Sequence, residues 1–175
     1  MPEDASMNRS SGPPLAVSDK AFRVSWDQFH HDCRALIRRL SALGPFAAVV
    51  AITRGGLVPA AIVGHELGVR VIETLCISSY EHVTKGELKI LKGVSDDIAR
   101  LGSRLLIVDD LVDTGETARI VRDLLPQAHF ATVYAKPMGT PLVDTFLTEV
   151  SQDTWIFFPW ETPPASQPPV GDGAG

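Results

Sequence analysis

The segment Leu105-Leu-Ile-Val-Asp-Asp-Leu-Val-Asp-Thr-Gly-Glu-Thr117 sets a continuous apolar run directly against three carboxylates and a Thr-Gly-x-Thr turn. Leu105 to Val108 has the unbroken apolar character of a strand buried on both faces. The turn that follows opens a helix from about Thr117 to Leu125. A buried strand that hands its chain to a helix through a short polar loop is the building block of a parallel α/β sheet.

The same alternation recurs along the chain. Ser25 with Gln28 three residues on forms a capping-box pattern. Trp26, Phe29, Cys33, Leu36, Ile37, Leu40 and Leu43 then repeat at helical spacing until Gly44-Pro45. Phe46 to Ile52 is a second continuous apolar run, bounded by Pro45 and by Thr53-Arg-Gly-Gly56. Pro59 to Leu67 reads as a short helix ending at Gly68. Val69 to Ser79 and Phe130 to Ala135 read as further strands. The alternation predicts a parallel twisted sheet with helices on both sides, in which ligands bind beyond the carboxyl ends of the strands. Tyr80 to Gly102 shows little periodicity apart from Leu88, Ile90 and Leu91, and reads as a mobile lid or hairpin.

Size and charge restrict the function. The chain has 175 residues, 45% of them hydrophobic, which suits one domain with a sizeable core. Its net charge of -5 supplies no global field for nucleic acid or anionic lipid, so any phosphate must be held locally. Cys33 and Cys76 stand far apart without a CxxC pair, which argues against a zinc site or a disulfide framework and fits a reducing cytoplasm. The longest apolar run, Phe46 to Ile52, falls well short of the roughly 20 residues that cross a bilayer. Residues 1–20, rich in Ser, Pro and Gly, read as a disordered leader, 21–162 as the domain, and 163–175 as a disordered tail.

The acidic loop carries the chemistry. Backbone N–H groups at the turn, the hydroxyls of Thr114 and Thr117 and the positive end of the helix dipole suit a phosphate monoester. Asp109 and Asp110 suit a ribose diol or a hydrated magnesium ion. An isolated acidic pair would equally serve as a solvated strand end, with Asp113 an ordinary helix cap; the adjoining Thr-Gly-x-Thr turn decides for a site. Arg54-Gly-Gly between a buried strand and a helix is a natural anion turn. Taken alone, Lys136 reads as a solvated strand cap, and Trp155 and Trp160 as core or interface aromatics. The five histidines show no ligand spacing.

The acidic segment resembles the phosphoribosyl pyrophosphate signature of the type I phosphoribosyltransferases. Ser78-Ser-Tyr80, Glu87-Leu-Lys89, Ala135-Lys-Pro137 with Pro141-Leu-Val-Asp144, and Gln152-Asp-Thr-Trp-Ile156 are similar to the bacterial xanthine-guanine branch. The resemblance spans about Val24 to Glu161. It implies an α/β fold with a flexible loop and a small C-terminal hood, and magnesium as cofactor. It further implies that Arg54 and Gly55 bind pyrophosphate, often through a strained peptide bond that glycine tolerates. Asp109 and Asp110 would hold the ribose hydroxyls and the metal, with Asp110 the metal ligand. Leu111 and Val112 lead to Asp113, the catalytic residue placed near purine N7. Thr114, Gly115, Glu116 and Thr117 would cradle the 5'-phosphate. Lys136 would donate to the oxygen at purine position 6, Trp155 would stack on the base, and the Ile156 backbone would read its edge.

The implied substrates are phosphoribosyl pyrophosphate with guanine, xanthine or hypoxanthine, and no nucleic acid. The implied assembly is a cytoplasmic homotetramer with peripheral contact at the cytoplasmic face of the inner membrane. Two residues depart from the branch. Gly86 stands where an arginine usually touches pyrophosphate, leaving Lys85 beside it as a point charge rather than a bidentate fork. Glu116 replaces a small residue in the phosphate turn, and its side chain is expected to point to solvent. A receiver domain also combines an Asp-Asp pair with a Lys-Pro, but places its acidic pair after the first strand. A nucleic-acid-binding regulator of the same fold is opposed by the acidic balance and the lack of a basic stretch.

Overall fold

A computed structural model describes residues 20–79 and 88–161. The leader 1–19, the loop 80–87 with Lys85 and Gly86, and the tail 162–175 lie outside the described residues. In chain order the elements are β1 (Ala21–Arg23), α1 (Trp26–Leu40), β2 (Ala48–Thr53), α2 (Leu57–Glu66), β3 (Ile72–Ser79), β4 (Leu88–Lys92) and α3 (Asp96–Ala99). Then follow a 3-10 turn (Gly102–Arg104), β5 (Leu105–Val112), α4 (Glu116–Leu124), β6 (His129–Ala135), a 3-10 turn (Thr140–Leu142), β7 (Thr145–Glu149) and β8 (Trp155–Phe157).

Six strands form one sheet in the order β4-β3-β2-β5-β6-β7. All neighbours are parallel except β4, which runs antiparallel to β3 at the edge. The parallel sheet expected from the alternation is therefore correct for the four strands read from the sequence, and β7, not read there, extends it in parallel beside β6. The hinted piece at Leu88 to Leu91 is the returning arm of a hairpin, and antiparallel pairing needs no crossover helix. β1 and β8 pair parallel in a separate two-stranded sheet, the small hood.

The sheet is covered on both faces. Val49 and Ala51 of β2 and Leu106 and Val108 of β5 pack with Phe29, Cys33, Leu36 and Leu40 of α1 and Ala60 and Val63 of α2. Ala48, Val50, Leu105 and Ile107, the alternate residues, pack with Ala118 and Val121 of α4. This strict alternation between two apolar layers explains why β2 and β5 read as unbroken apolar runs. A polar link crosses the first layer. The Tyr134 hydroxyl donates to Asp32 Oδ2 at 2.5 Å, and Gln28 Nε2 donates to Asp32 Oδ1 at 2.7 Å. It ties α1 to the carboxyl-terminal end of β6.

Helix α1 begins as expected, with Ser25 Oγ accepting from Gln28 N at 3.1 Å. The Gln28 side chain turns to Asp32 instead of back to Ser25, so the capping box is half formed. The helix ends at Leu40 rather than Leu43. Leu43 N donates to the Leu40 carbonyl in a tight turn, and its side chain is exposed. Helix α2 begins two residues before Pro59, which sits in the first turn, where a missing N–H costs no intrahelical bond.

Candidate functional site

β2 continues through α2 to β3 on one side, and β5 through α4 to β6 on the other, so the chain diverges between the central pair β2 and β5. Divergence opens a crevice at the carboxyl ends of these strands. A cleft of about 730 Å³ lies there, lined by Thr53, Arg54 and Gly55 from the end of β2, Asp109 and Asp110 from β5, Thr117 from α4, and Trp155, Phe157, Trp160 and Glu161 from the hood side. A smaller pocket of about 170 Å³ adjoins it, lined by Asp109, Leu111, Val112, Asp113, Thr114, Gly115, Glu116 and Thr117. Asp109 and Thr117 border both.

The turn after β2 is shaped by close approach. A Cβ on Gly55 would stand 2.5 Å from both carboxylate oxygens of Asp110, and one on Gly56 2.3 Å from the Val108 carbonyl oxygen. The turn carries a cis peptide bond, between Thr53 and Arg54. Glycine at position 55 thus answers to the space beside Asp110. Arg54 is exposed at the cleft mouth and is its only lining cation among the described residues.

The turn after β5 closes on Gly115, whose φ of 83° is a left-handed conformation. A Cβ there would also lie 2.3 Å from Leu142 Cδ1. Gly115 is the N-cap of α4, and Thr114 to Thr117 line the smaller pocket. Glu116 is exposed, as expected, and borders that pocket.

Electrostatically the cleft floor lacks compensation. Burial and the adjacent Asp110 charge push Asp109 well above the usual carboxylate range. Burial, with Glu161 adding repulsion, pushes Asp110 up to about 6. Asp109 Oδ1 accepts from Asp110 N at 3.0 Å, and neither carboxylate has a salt-bridge partner among the described residues.

Asp113 and Lys136 meet differently from the expectation. Lys136 Nζ donates to Asp113 Oδ2 at 2.8 Å, and Lys136 is 5% exposed, so it is a buried ion-paired group rather than a solvated cap. It lines neither pocket, and its partner Asp113 lines only the smaller one. Trp155 is exposed against the main cleft, while the Ile156 side chain turns into the core, leaving its backbone on β8 beside Phe22. Trp160 packs on Phe158 with rings 4.8 Å apart and nearly parallel, which agrees with its reading as a packing aromatic, though it also borders the cleft.

Sequence reasoning gave no role to two residues found here. Gln152 Nε2 donates to Asp113 Oδ1 at 2.7 Å. Glu161 borders the cleft within electrostatic reach of Asp110. Gln152 lies in the stretch that carries the resemblance, and that was its only signal.

With this geometry in place, the comparisons fix the class. The profile of the phosphoribosyl transferase domain matches residues 25–167, and the chain belongs to that family. Among solved structures, it is similar to a purine phosphoribosyltransferase from Pyrococcus horikoshii Ot3, at 25% identity and a TM-score of 0.71, covering 85% of this chain and 99% of that one. It also matches the fold of a Helicobacter pylori xanthine-guanine-hypoxanthine phosphoribosyltransferase, at 24% identity and a TM-score of 0.66, covering 81% and 94%.

The donor set fits the magnesium that the family implies. Asp109 and Asp110 carry hard oxygen donors without a paired cation, and a divalent ion would offset the burial that is the main cause raising both. No cluster of three His, Cys, Asp or Glu side chains suited to a metal exists among the described residues. Substrate oxygens and water would complete the shell.

Proposed function

We propose that this phosphoribosyltransferase is a purine salvage enzyme. It transfers the phosphoribosyl group of 5-phosphoribosyl 1-pyrophosphate to guanine, xanthine and, less well, hypoxanthine, giving GMP, XMP or IMP and pyrophosphate. The observation that carries the proposal is the junction of two pockets at Asp109 and Thr117, whose linings together include the Thr114 to Thr117 turn, the Asp109 and Asp110 pair, Arg54 and Trp155.

Residues divide the substrate between them. The Thr114 to Thr117 turn holds the 5'-phosphate by its N–H groups and hydroxyls. Asp109 and Asp110 accept from the ribose hydroxyls. Arg54 and Gly55 hold the pyrophosphate, with Lys85, outside the described residues, proposed as a second cation. Asp110 would hold magnesium, which would supply charge neutralisation for the pyrophosphate leaving group. The bond from the anomeric carbon to pyrophosphate breaks as the base nitrogen bonds to that carbon, and positive character on the ribose is stabilised by the fixed acidic groups below it. Trp155 stacks on the base. Lys136 donates to the 6-oxygen and Asp113 exchanges a proton at N7.

The buried Lys136 supports 6-oxopurine selectivity. Its ammonium has only donors, so the adenine amino group would leave two donors facing each other. A homotetramer in the cytoplasm, touching the inner membrane peripherally, belongs to the same proposal. No helix among the described residues is long and apolar enough to cross a membrane. Turnover of an Asp113→Ala variant with guanine tests the assignment of roles. Turnover should fall by about a hundredfold, within the range typical of a lost proton-transfer group, with the KM for phosphoribosyl pyrophosphate little changed. Unchanged turnover would remove Asp113 from the chemistry.

A further inference from the structure

We propose that Gln152 is a positioning residue for the transfer, holding the Asp113 carboxylate when the Lys136 ammonium turns to the substrate. The inference rests on the proposed role of Asp113. In the structure the carboxylate is held on both sides, with Oδ2 taken by Lys136 at 2.8 Å and Oδ1 by Gln152 at 2.7 Å.

The amide orientation of Gln152 follows from its partners. Met138 N donates to Oε1 at 3.0 Å, and an N–H can be met only by the carbonyl end of the amide. The NH2 end is therefore the one facing the acceptor-only carboxylate of Asp113. One side chain thus fastens three places: the loop between β7 and β8 that carries it, the turn after Lys136, and Asp113. The loop is itself held, by a 2.7 Å contact between the Ser151 and Thr154 hydroxyls and by the Thr154 N–H donating to the Ser151 carbonyl. Trp155 follows directly, so the orientation of Asp113 and the placement of the aromatic platform share this loop.

The need for a second holder comes from the donor count. Lys136 is nearly buried, with a side chain 7% exposed, whereas Asp113 is 47% exposed. A base whose 6-oxygen takes the ammonium loosens the grip on Oδ2, the oxygen then free to meet the base. Without Gln152 the half-exposed carboxylate would rotate freely about its last bond at the step in which its direction matters. Gln152 keeps Oδ1 fixed. It makes no contact with the phosphate turn or with Arg54 among the hydrogen bonds of the described residues, so it acts on the base end only.

The test is a double-mutant cycle on the full chain, with turnover measured on guanine. Gln152→Ala should lower kcat about tenfold or more, the scale of a lost hydrogen bond to a charged group, and leave the KM for phosphoribosyl pyrophosphate within about twofold. Gln152→Glu keeps the shape and the acceptor for Met138 but cannot donate, and should lose at least as much at an unchanged melting temperature. In the Asp113→Ala background, Gln152→Ala should cost nothing further, because the residue acts through Asp113. Unchanged kcat in Gln152→Ala and Gln152→Glu, or a loss that multiplies with that of Asp113→Ala, overturns the inference while leaving the role of Asp113 standing. Full turnover in Asp113→Ala itself would instead remove the reading beneath it.

Discussion

Gly55→Ala separates site geometry from fold. The added methyl carbon would lie 2.5 Å from both oxygens of Asp110, and ordinary contact begins near 3.4 Å, so the carboxylate must retreat by about 0.9 Å. The yielding group is the end of a side chain, and the φ of Gly55 is not left-handed, so the backbone has no reason to change. A misplacement of about 1 Å among positioned groups costs on the order of a hundredfold in rate. Steady-state kinetics with guanine and phosphoribosyl pyrophosphate should show kcat/KM reduced by that factor, with the melting temperature close to wild type. Gly56→Ala is the matching contrast. Its methyl would meet the Val108 and Ile52 carbonyl oxygens at 2.3 and 2.7 Å, backbone of the two central strands that cannot yield. Forcing them apart costs about 1–3 kcal/mol or more, read as a lower denaturant midpoint. A Gly55→Ala enzyme with wild-type kcat/KM, or one that unfolds as readily as Gly56→Ala, would refute the reasoning.

The acidic pair predicts a pH dependence of stability. Asp110 titrates at about 6 in the folded chain against an ordinary value of 3.8, so the folded state holds its proton longer than the unfolded one. The resulting cost is absent below about pH 4, grows between about pH 4 and 6, and is complete above. Without divalent ions, Asp110→Asn should therefore melt higher than wild type at pH 8, the gap closing near pH 4; a gap that persists at low pH would refute the assignment. Tyr134→Phe removes the buried donor to Asp32 and should cost about 1–3 kcal/mol in urea unfolding. Its kcat should stay near wild type, since the hydroxyl faces α1 and not the cleft.

The sequence made the central strands plain because burial on both faces leaves no polar residue in β2 before its last position, Thr53, or in the first half of β5. The candidate site was legible for a related reason: residues 109–117 are contiguous, so the end of β5 and the turn after it deliver both carboxylates and the Thr-Gly-Glu-Thr segment together. β1 and β8 were invisible, being three residues each and joined across more than a hundred positions. β4 alternates weakly, because its residues face solvent at a sheet edge. The partnership of Asp113 with Lys136 and Gln152 depends on three separate loops converging. No local pattern encodes it, and the same is true of the fit between Gly55 and Asp110.

The most direct measurement mixes the purified protein with magnesium, phosphoribosyl pyrophosphate and each of guanine, xanthine, hypoxanthine and adenine, and follows nucleotide formation by absorbance. The account predicts GMP and XMP, slower IMP, and no AMP. Formation of AMP, or of no nucleotide from any base, would contradict it.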